Sequence, residues 1–99
     1  MICYLSGKIS GLTVEEYIRN FDFAKYHIEA DYEPEEIINP IDINPFLGIK
    51  HWICYMINDI RKQRKCTHSA FQKNWIDSRG AVIEYFFAKF IFKQQIIFL

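Results

Sequence analysis

Residues 2–16 read Ile2-Cys3-Tyr4-Leu5-Ser6-Gly7-Lys8-Ile9-Ser10-Gly11-Leu12-Thr13-Val14-Glu15-Glu16, and this stretch decides the fold. Ile2 to Leu5 is a short apolar run closed by Ser6-Gly7, the pattern of a buried strand followed by a turn. Gly7 and Gly11 bracket a loop. Thr13 to Glu16 is a capping box, with Thr13 as N-cap and Glu16 at the third helical position. The helix it opens sets Val14, Tyr17, Ile18, Phe21, Ala24 and Ile28 on one face.

The pattern repeats along the chain. Ile37-Ile38 reads as a very short strand stopped by Asn39-Pro40, and 40–50, with two prolines and a glycine, as a loop. A second helix is expected from His51, with Trp52, Tyr55, Met56, Asp59, Ile60 and Gln63 on its inward face. Arg61, Lys62, Arg64 and Lys65 close it, where cations suit the negative end of the helix dipole. Residues 67–73 form a third strand of poor strand composition. Residues 75–80 then form a loop, 81–93 a third helix and 96–99 a final strand. The order βαβαβαβ, with short right-handed connections, implies one α/β domain over residues 1–99. Its short parallel sheet of about four strands lies between helical layers (α/β/α). Ligands of such sheets bind beyond the carboxyl ends of the strands, which are the loops after Leu5, after Ile38 and around Trp75–Gly80.

Composition narrows the class. Apolar residues make up 51% of the 99 and aromatics 17%, too many core-forming side chains for a disordered chain. Twelve Lys and Arg balance twelve Asp and Glu, and a formal net charge of zero gives no general field for nucleic acid or an anionic membrane. Nucleic acid and membrane are therefore not expected partners. No signal-peptide pattern opens the chain, and Cys3, Cys54 and Cys66 read as reduced thiols, so a cytoplasmic location is expected. His51, Cys54, Cys66 and His68 lack a Cys-x-x-Cys knuckle, and no metal or cofactor is expected.

Glu84 is the most informative residue. It is the one acid between Arg79 and the C-terminus, set among Val82, Ile83, Tyr85, Phe86 and Phe87. A carboxylate there loses solvation unless it is paired or functional; the alternative is an exposed position on an amphipathic helix. Asp59 shares the inward face of the second helix and is either a structural acceptor or the partner of Glu84. Two carboxylates flanking one cleft suit glycosyl chemistry, where one attacks or stabilises the anomeric carbon and the other handles protons. Ser78-Arg79-Gly80-Ala81 leads into the third helix. Such a helix start suits a phosphate or sugar hydroxyls, although an ordinary N-cap at Asp77 or Ser78 explains it too. The loop from Gly7 to Gly11 can cradle a phosphate but matches neither a Walker A loop nor GxGxxG.

Taken together, these stretches resemble a known family. Tyr4-Leu5-Ser6-Gly7-Lys8-Ile9-Ser10-Gly11 is similar to the opening Tyr-x-Ser-Gly-Pro-Ile-x-Gly of small bacterial and phage proteins (domain of unknown function 4406) related to nucleoside 2-deoxyribosyltransferases. Asn20-Phe21, Ala24, Ile38-Asn39-Pro40, Trp52, Tyr55-Met56, Asp59-Ile60, Cys66, Trp75, Ser78-Arg79-Gly80-Ala81, Glu84 and Ala88 follow in order. The resemblance implies a flavodoxin- or Rossmann-like fold and a nucleoside or nucleotide ligand. It also implies cleavage or transfer at the N-glycosidic bond of a 2′-deoxynucleoside or its monophosphate.

By that resemblance Glu84 is the nucleophile, Asp59 assists proton transfer to the base and Tyr4 orients Glu84. Gly7, Lys8, Ser10, Gly11, Asn39, Ser78, Arg79 and Gly80 bind substrate, a 5′-phosphate included. Lys8 stands where the family has Pro, and Cys66-Thr67-His68-Ser69-Ala70 where it has Cys-Asp-Ala. The rival readings are a nucleotide-binding module without turnover and a dimeric structural protein that keeps only the fold. Tyr85, Phe86, Phe87, Phe90, Ile91 and Phe92 cannot all face one sheet, because helical residues advance by about 100°. A homodimer, or a higher homo-oligomer, built on the third helix is therefore expected.

Overall fold

A computed structural model describes residues 1–43 and 52–99. The elements are β1 (Ile2–Ser6), α1 (Val14–Tyr32), β2 (Glu36–Ile38), α2 (Pro40–Ile43), α3 (Trp52–Gln63) and β3 (His68–Phe71). A 3-10 turn (Trp75–Asp77), α4 (Arg79–Phe86), a π-helical continuation (Phe87–Ile91) and β4 (Gln95–Phe98) complete the order. The four strands make one all-parallel sheet, β2-β1-β3-β4, the flavodoxin- or Rossmann-like topology. Cys3 lies opposite Ile37 and His68, and Ala70 opposite Leu5 and Ile97. Among the described residues no helix is long and apolar enough to cross a membrane.

Strand order decides which helix covers which face. The chain leaves β1 toward β2 in one direction and returns through β3 to β4 in the other. Right-handed crossovers therefore put α1 on one face and α3 with α4 on the opposite face. The side chains of β1 alternate accordingly. Cys3 and Leu5 join Ala70 and, from α1, Phe21, Ala24 and Ile28 in the apolar core. Tyr4 and Ser6 point the other way, to α4. The two faces are unlike: one is an apolar core, the other carries hydroxyls.

The start of α1 is as the capping box predicts. Thr13 Oγ1 accepts from the Glu16 N–H (3.2 Å), and Glu16 Oε1 accepts from the Thr13 N–H (2.9 Å). Of its predicted inward face, Tyr17, Phe21, Ala24 and Ile28 are buried, whereas Val14 and Ile18 are exposed. Ile9, Ile41 and Leu99 also pack against this core, so the contact face of α1 is narrow and residues at the margin of its stripe stay in water.

Several boundaries differ from the sequence reading. Pro40–Ile43 is a helical turn rather than loop, because buried Asn39 caps it: its Oδ1 accepts from the Ile41 N–H (3.1 Å) and its carbonyl from the Asp42 N–H (2.9 Å). The remainder of the expected loop and His51 lie outside the described residues. The third strand is shorter than expected, His68–Phe71. Residues 75–80 are not loop throughout, since a 3-10 turn is followed by α4 from Arg79. The third helix changes character at Phe87, where the Phe92 N–H bonds back five residues to the Phe87 carbonyl (2.8 Å). Lys93, in the left-handed region (φ 52°), turns the chain into β4.

The polar third strand has a physical account. Ser69 is fully buried on the face toward α3, and Gln63, also fully buried, donates from Nε2 to its Oγ (3.1 Å). The same Nε2 reaches the Glu84 carbonyl (3.0 Å). Ser69 donates in turn to Gln94 Oε1, and Gln94 Nε2 donates to the carbonyls of Gln63 (2.6 Å) and Cys66 (3.0 Å). A hydroxyl buried without partners costs about 1–3 kcal/mol; this chain of amides supplies them.

Candidate active site

A cleft of about 480 Å³ opens beyond the carboxyl ends of the strands, on the α3/α4 side of the sheet. The first loop, α3 and the start of α4 form its walls, and Glu84 lies in it at 5% exposure. Glu84 stands one and a half turns into α4, above β1. Tyr4 and Ser6, two residues apart on that strand, share the face beneath it. The Tyr4 phenol donates to Glu84 Oε2 and the Ser6 hydroxyl to Oε1 (2.7 Å). Both carboxyl oxygens are thus held from below.

The electrostatics of this group are divided. Burial raises the Glu84 carboxyl to about 8, and the charge of Asp59 raises it too, while the bonds from Tyr4 and Ser6 pull it down. Tyr4, wholly buried, is driven well above its ordinary value by burial, then by the charges of Glu84 and Asp59 and by its bond to Glu84. It stays a neutral phenol and a permanent donor. Asp59, 9% exposed, lines the cleft from α3. Tyr4, Asp59 and Glu84 are therefore drawn to one place from three elements.

The start of α4 forms another wall. Ser78 is its N-cap, with Oγ accepting from the Ala81 N–H (3.2 Å), so Ser78 and not Asp77 caps the helix. Ser78, Arg79 and Gly80 all line the cleft. Gly80 allows α3 and α4 to approach closely, since a Cβ there would lie 3.2 Å from Met56 Sδ. From the first loop, Gly7, Ile9 and Ser10 line the cleft. A Cβ on Gly7 would stand 2.5 Å from Gln72 Cδ, so the Gln72 amide would have to shift to admit one. Lys8 and Gly11 belong to the same loop but not to the lining, and the Lys8 N–H is bound to Asn74 Oδ1 (3.0 Å). Asn39 is occupied in capping α2, next to Pro40, which does line the cleft.

Two participants escaped sequence reasoning. Ser6 was legible in principle, because it shares the alternation of Tyr4 on one strand. Tyr55, on α3, lines the cleft with its hydroxyl buried and, among the described residues, without a hydrogen-bond partner. The thiols take no part. Burial pushes Cys3 and Cys66 up to about 12, where a nucleophilic thiolate does not form near neutral pH. Among the described residues no group of His, Cys, Asp and Glu is arranged to hold a metal ion.

A family model described as a domain of unknown function, DUF4406, matches residues 1–98. No curated protein and no solved structure matches.

Proposed function

The chain belongs to the DUF4406 family, a domain of unknown function, and from the residues of its cleft we propose that it binds a 2′-deoxynucleoside or its monophosphate and cleaves or transfers at the N-glycosidic bond. The observation that carries this reading is Glu84, a carboxyl buried in a cleft with both oxygens held by hydroxyl donors. Such a group is positioned without being neutralised by a cation, as a nucleophile on an electrophilic carbon requires.

In the proposed reaction ionised Glu84 attacks C1′ and the C1′–N bond breaks. The bonding pair leaves with the base, which takes a proton delivered through Asp59. Water, or a second base, then attacks C1′ of the glycosyl ester and returns the Glu84 carboxylate. Tyr4 and Ser6 hold Glu84 in one rotamer throughout. A 5′-phosphate is placed against Ser78, Arg79 and Gly80 at the start of α4, where backbone N–H groups and the helix dipole favour an anion.

A second reading, binding without turnover, is favoured by one observation. With its carboxyl raised to about 8, Glu84 is mostly protonated at neutral pH in the free protein and offers a hydrogen bond rather than a nucleophile. One experiment separates the two: incubation with a panel of deoxynucleosides and their monophosphates, following free base by chromatography. Base release that is lost in Glu84→Gln supports the enzyme. Calorimetric binding with no release supports the module.

A further inference from the structure

The chain is neutral overall, yet its charges are sorted between the two faces of the sheet. On α1 the exposed acids Glu15, Asp22, Glu29 and Asp31 outnumber Arg19 and Lys25, and Glu33, Glu35 and Glu36 follow directly. On the opposite face α3 ends in Arg61, Lys62, Arg64 and Lys65, and α4 with its continuation adds Lys89 and Lys93. The carboxylates of those two helices, Asp59 and Glu84, are both buried. Gln94, bonded to the carbonyls of Gln63 and Cys66, fastens the end of the π-helical segment to the end of α3 and brings these cations to one edge.

Each face also leaves aromatic surface in water. Phe86 and Phe90 pack on each other (ring centroids 5.3 Å) yet are 52% and 56% exposed, with Ile91 and Val82 beside them. On α1, Phe23 and Tyr26 are 64% and 69% exposed. Lys25 pairs with Glu29 (4.0 Å) and the N-terminal ammonium with Glu35 (3.4 Å), and an excess of acid remains on the α1 side. Apolar surface beside an excess of acid on one face and of base on the other is complementary to itself when one copy is laid on the next.

We propose that the chain associates head to tail, the acidic α1 face of one copy docking on the basic α4 face of another. A two-fold pair built on α4 buries Phe86 and Phe90 against their own copies and leaves the acids of the α1 face outside the contact. A head-to-tail contact sets Lys89, Lys93 and the end of α3 against those carboxylates. Because the two faces lie on opposite sides of the sheet, the contact leaves one free face at each end and does not close at two copies. The assembly therefore grows with concentration and weakens with salt.

Sedimentation velocity tests this on the full chain and on two variants that alter exposed rings only. One is Phe86→Ser with Phe90→Ser; the other is Phe23→Ser with Tyr26→Ser. The native chain is expected to pass beyond a dimer as its concentration rises at low salt, and to fall toward 11.9 kDa at high salt. Each variant alone is expected to be monomeric, because each has lost one of the two surfaces. Their mixture is expected to stop at a complex of two chains, joined through the one intact face of each. A native chain that is monomeric at low salt overturns the proposal, and so does a mixture that fails to associate. A dimer that survives Phe23→Ser with Tyr26→Ser but not Phe86→Ser with Phe90→Ser overturns it in favour of a two-fold contact on α4. Circular dichroism of both variants separates loss of contact from loss of fold.

Discussion

The phenol of Tyr4 and the carboxyl of Glu84, 80 residues apart in the chain, are hydrogen-bonded across the interface between sheet and helix. A wholly buried phenol has no competing water, so its proton is committed to the carboxyl oxygen. Removing it in Tyr4→Phe leaves the burial of Glu84 intact and takes away one of the two bonds that favour its charge. The Glu84 pKa is expected to move further above about 8. Base release at neutral pH is expected to fall roughly 10- to 100-fold, the size of a lost hydrogen bond to a charged group. A carboxyl-carbon NMR titration reads the first effect and the chromatographic assay the second.

The pH dependence of catalysis follows from the same group. Attack at C1′ requires ionised Glu84, so kcat/KM should rise with pH on a limb centred near 8, the value of Glu84 in the free protein. In Ser6→Ala the limb should move to higher pH, because the remaining bond from Tyr4 holds the charge alone. A profile flat from pH 6 to 9 in the native protein, read from initial rates, removes Glu84 from the nucleophilic role.

Stability carries the opposite signature. The folded-state value of Glu84 is raised from 4.5 to about 8, so the folded chain keeps a proton that the unfolded chain releases. Stability is fully present below about 4.5, falls as pH rises through that window, and levels off above about 8. A shift of this size corresponds to on the order of 5 kcal/mol. Glu84→Gln cannot ionise and should abolish this slope, making the variant the more stable protein at pH 8 while inactive. Urea unfolding at pH 5 and pH 8 on both proteins measures it.

What was legible in the sequence was the pattern that repeats. Apolar alternation and the Thr13–Glu16 box locate β1 and α1, and the strand–helix order leads directly to a parallel sheet. Glu84 stood out because a lone acid among aromatics needs a reason. Ser6 did not, since a serine closing a strand also reads as the start of a turn; only its register with Tyr4 gives it away. The shift to π geometry at Phe87 changes one hydrogen-bond step and leaves no mark on composition. The third strand looked poor because its partners, Gln63 and Gln94, lie six and 25 residues from Ser69, beyond the reach of local periodicity.

Gly7 gives a prediction independent of chemistry. A Cβ on Gly7 would meet the end of the Gln72 side chain at 2.5 Å, and Gln72, 7% exposed, borders a cavity of about 250 Å³ into which its amide can shift. Gly7→Ala should destabilise the fold by about 0.5–1.5 kcal/mol, the cost of moving one side chain off its preferred rotamer. Adding Gln72→Ala should recover part of that loss, so the double variant is less damaged than the sum of its parts. A double-mutant cycle in urea that comes out additive shows that the two residues do not press on each other.

The phosphate is the part of the ligand with the most specific physical requirement. The cleft wall at Ser78, Arg79 and Gly80 combines a hydroxyl, a guanidinium and the amino end of α4 beside the carboxyl of Asp77, whereas the lining contributed by the first loop, Gly7, Ile9 and Ser10, is uncharged. A dianionic phosphate should therefore bind at α4 and contribute through charge-assisted bonds, which weaken as salt screens them. Deoxynucleoside monophosphates should bind more tightly than the nucleosides, and Arg79→Ala should bring the two together while leaving nucleoside binding unchanged. Lys8→Ala, in the same loop but outside the lining, should leave the preference as it is. Calorimetry across two salt concentrations decides the matter. Equal affinity for nucleoside and monophosphate in the native protein means that the start of α4 holds the sugar instead, and that the Ser78 hydroxyl serves only to cap the helix.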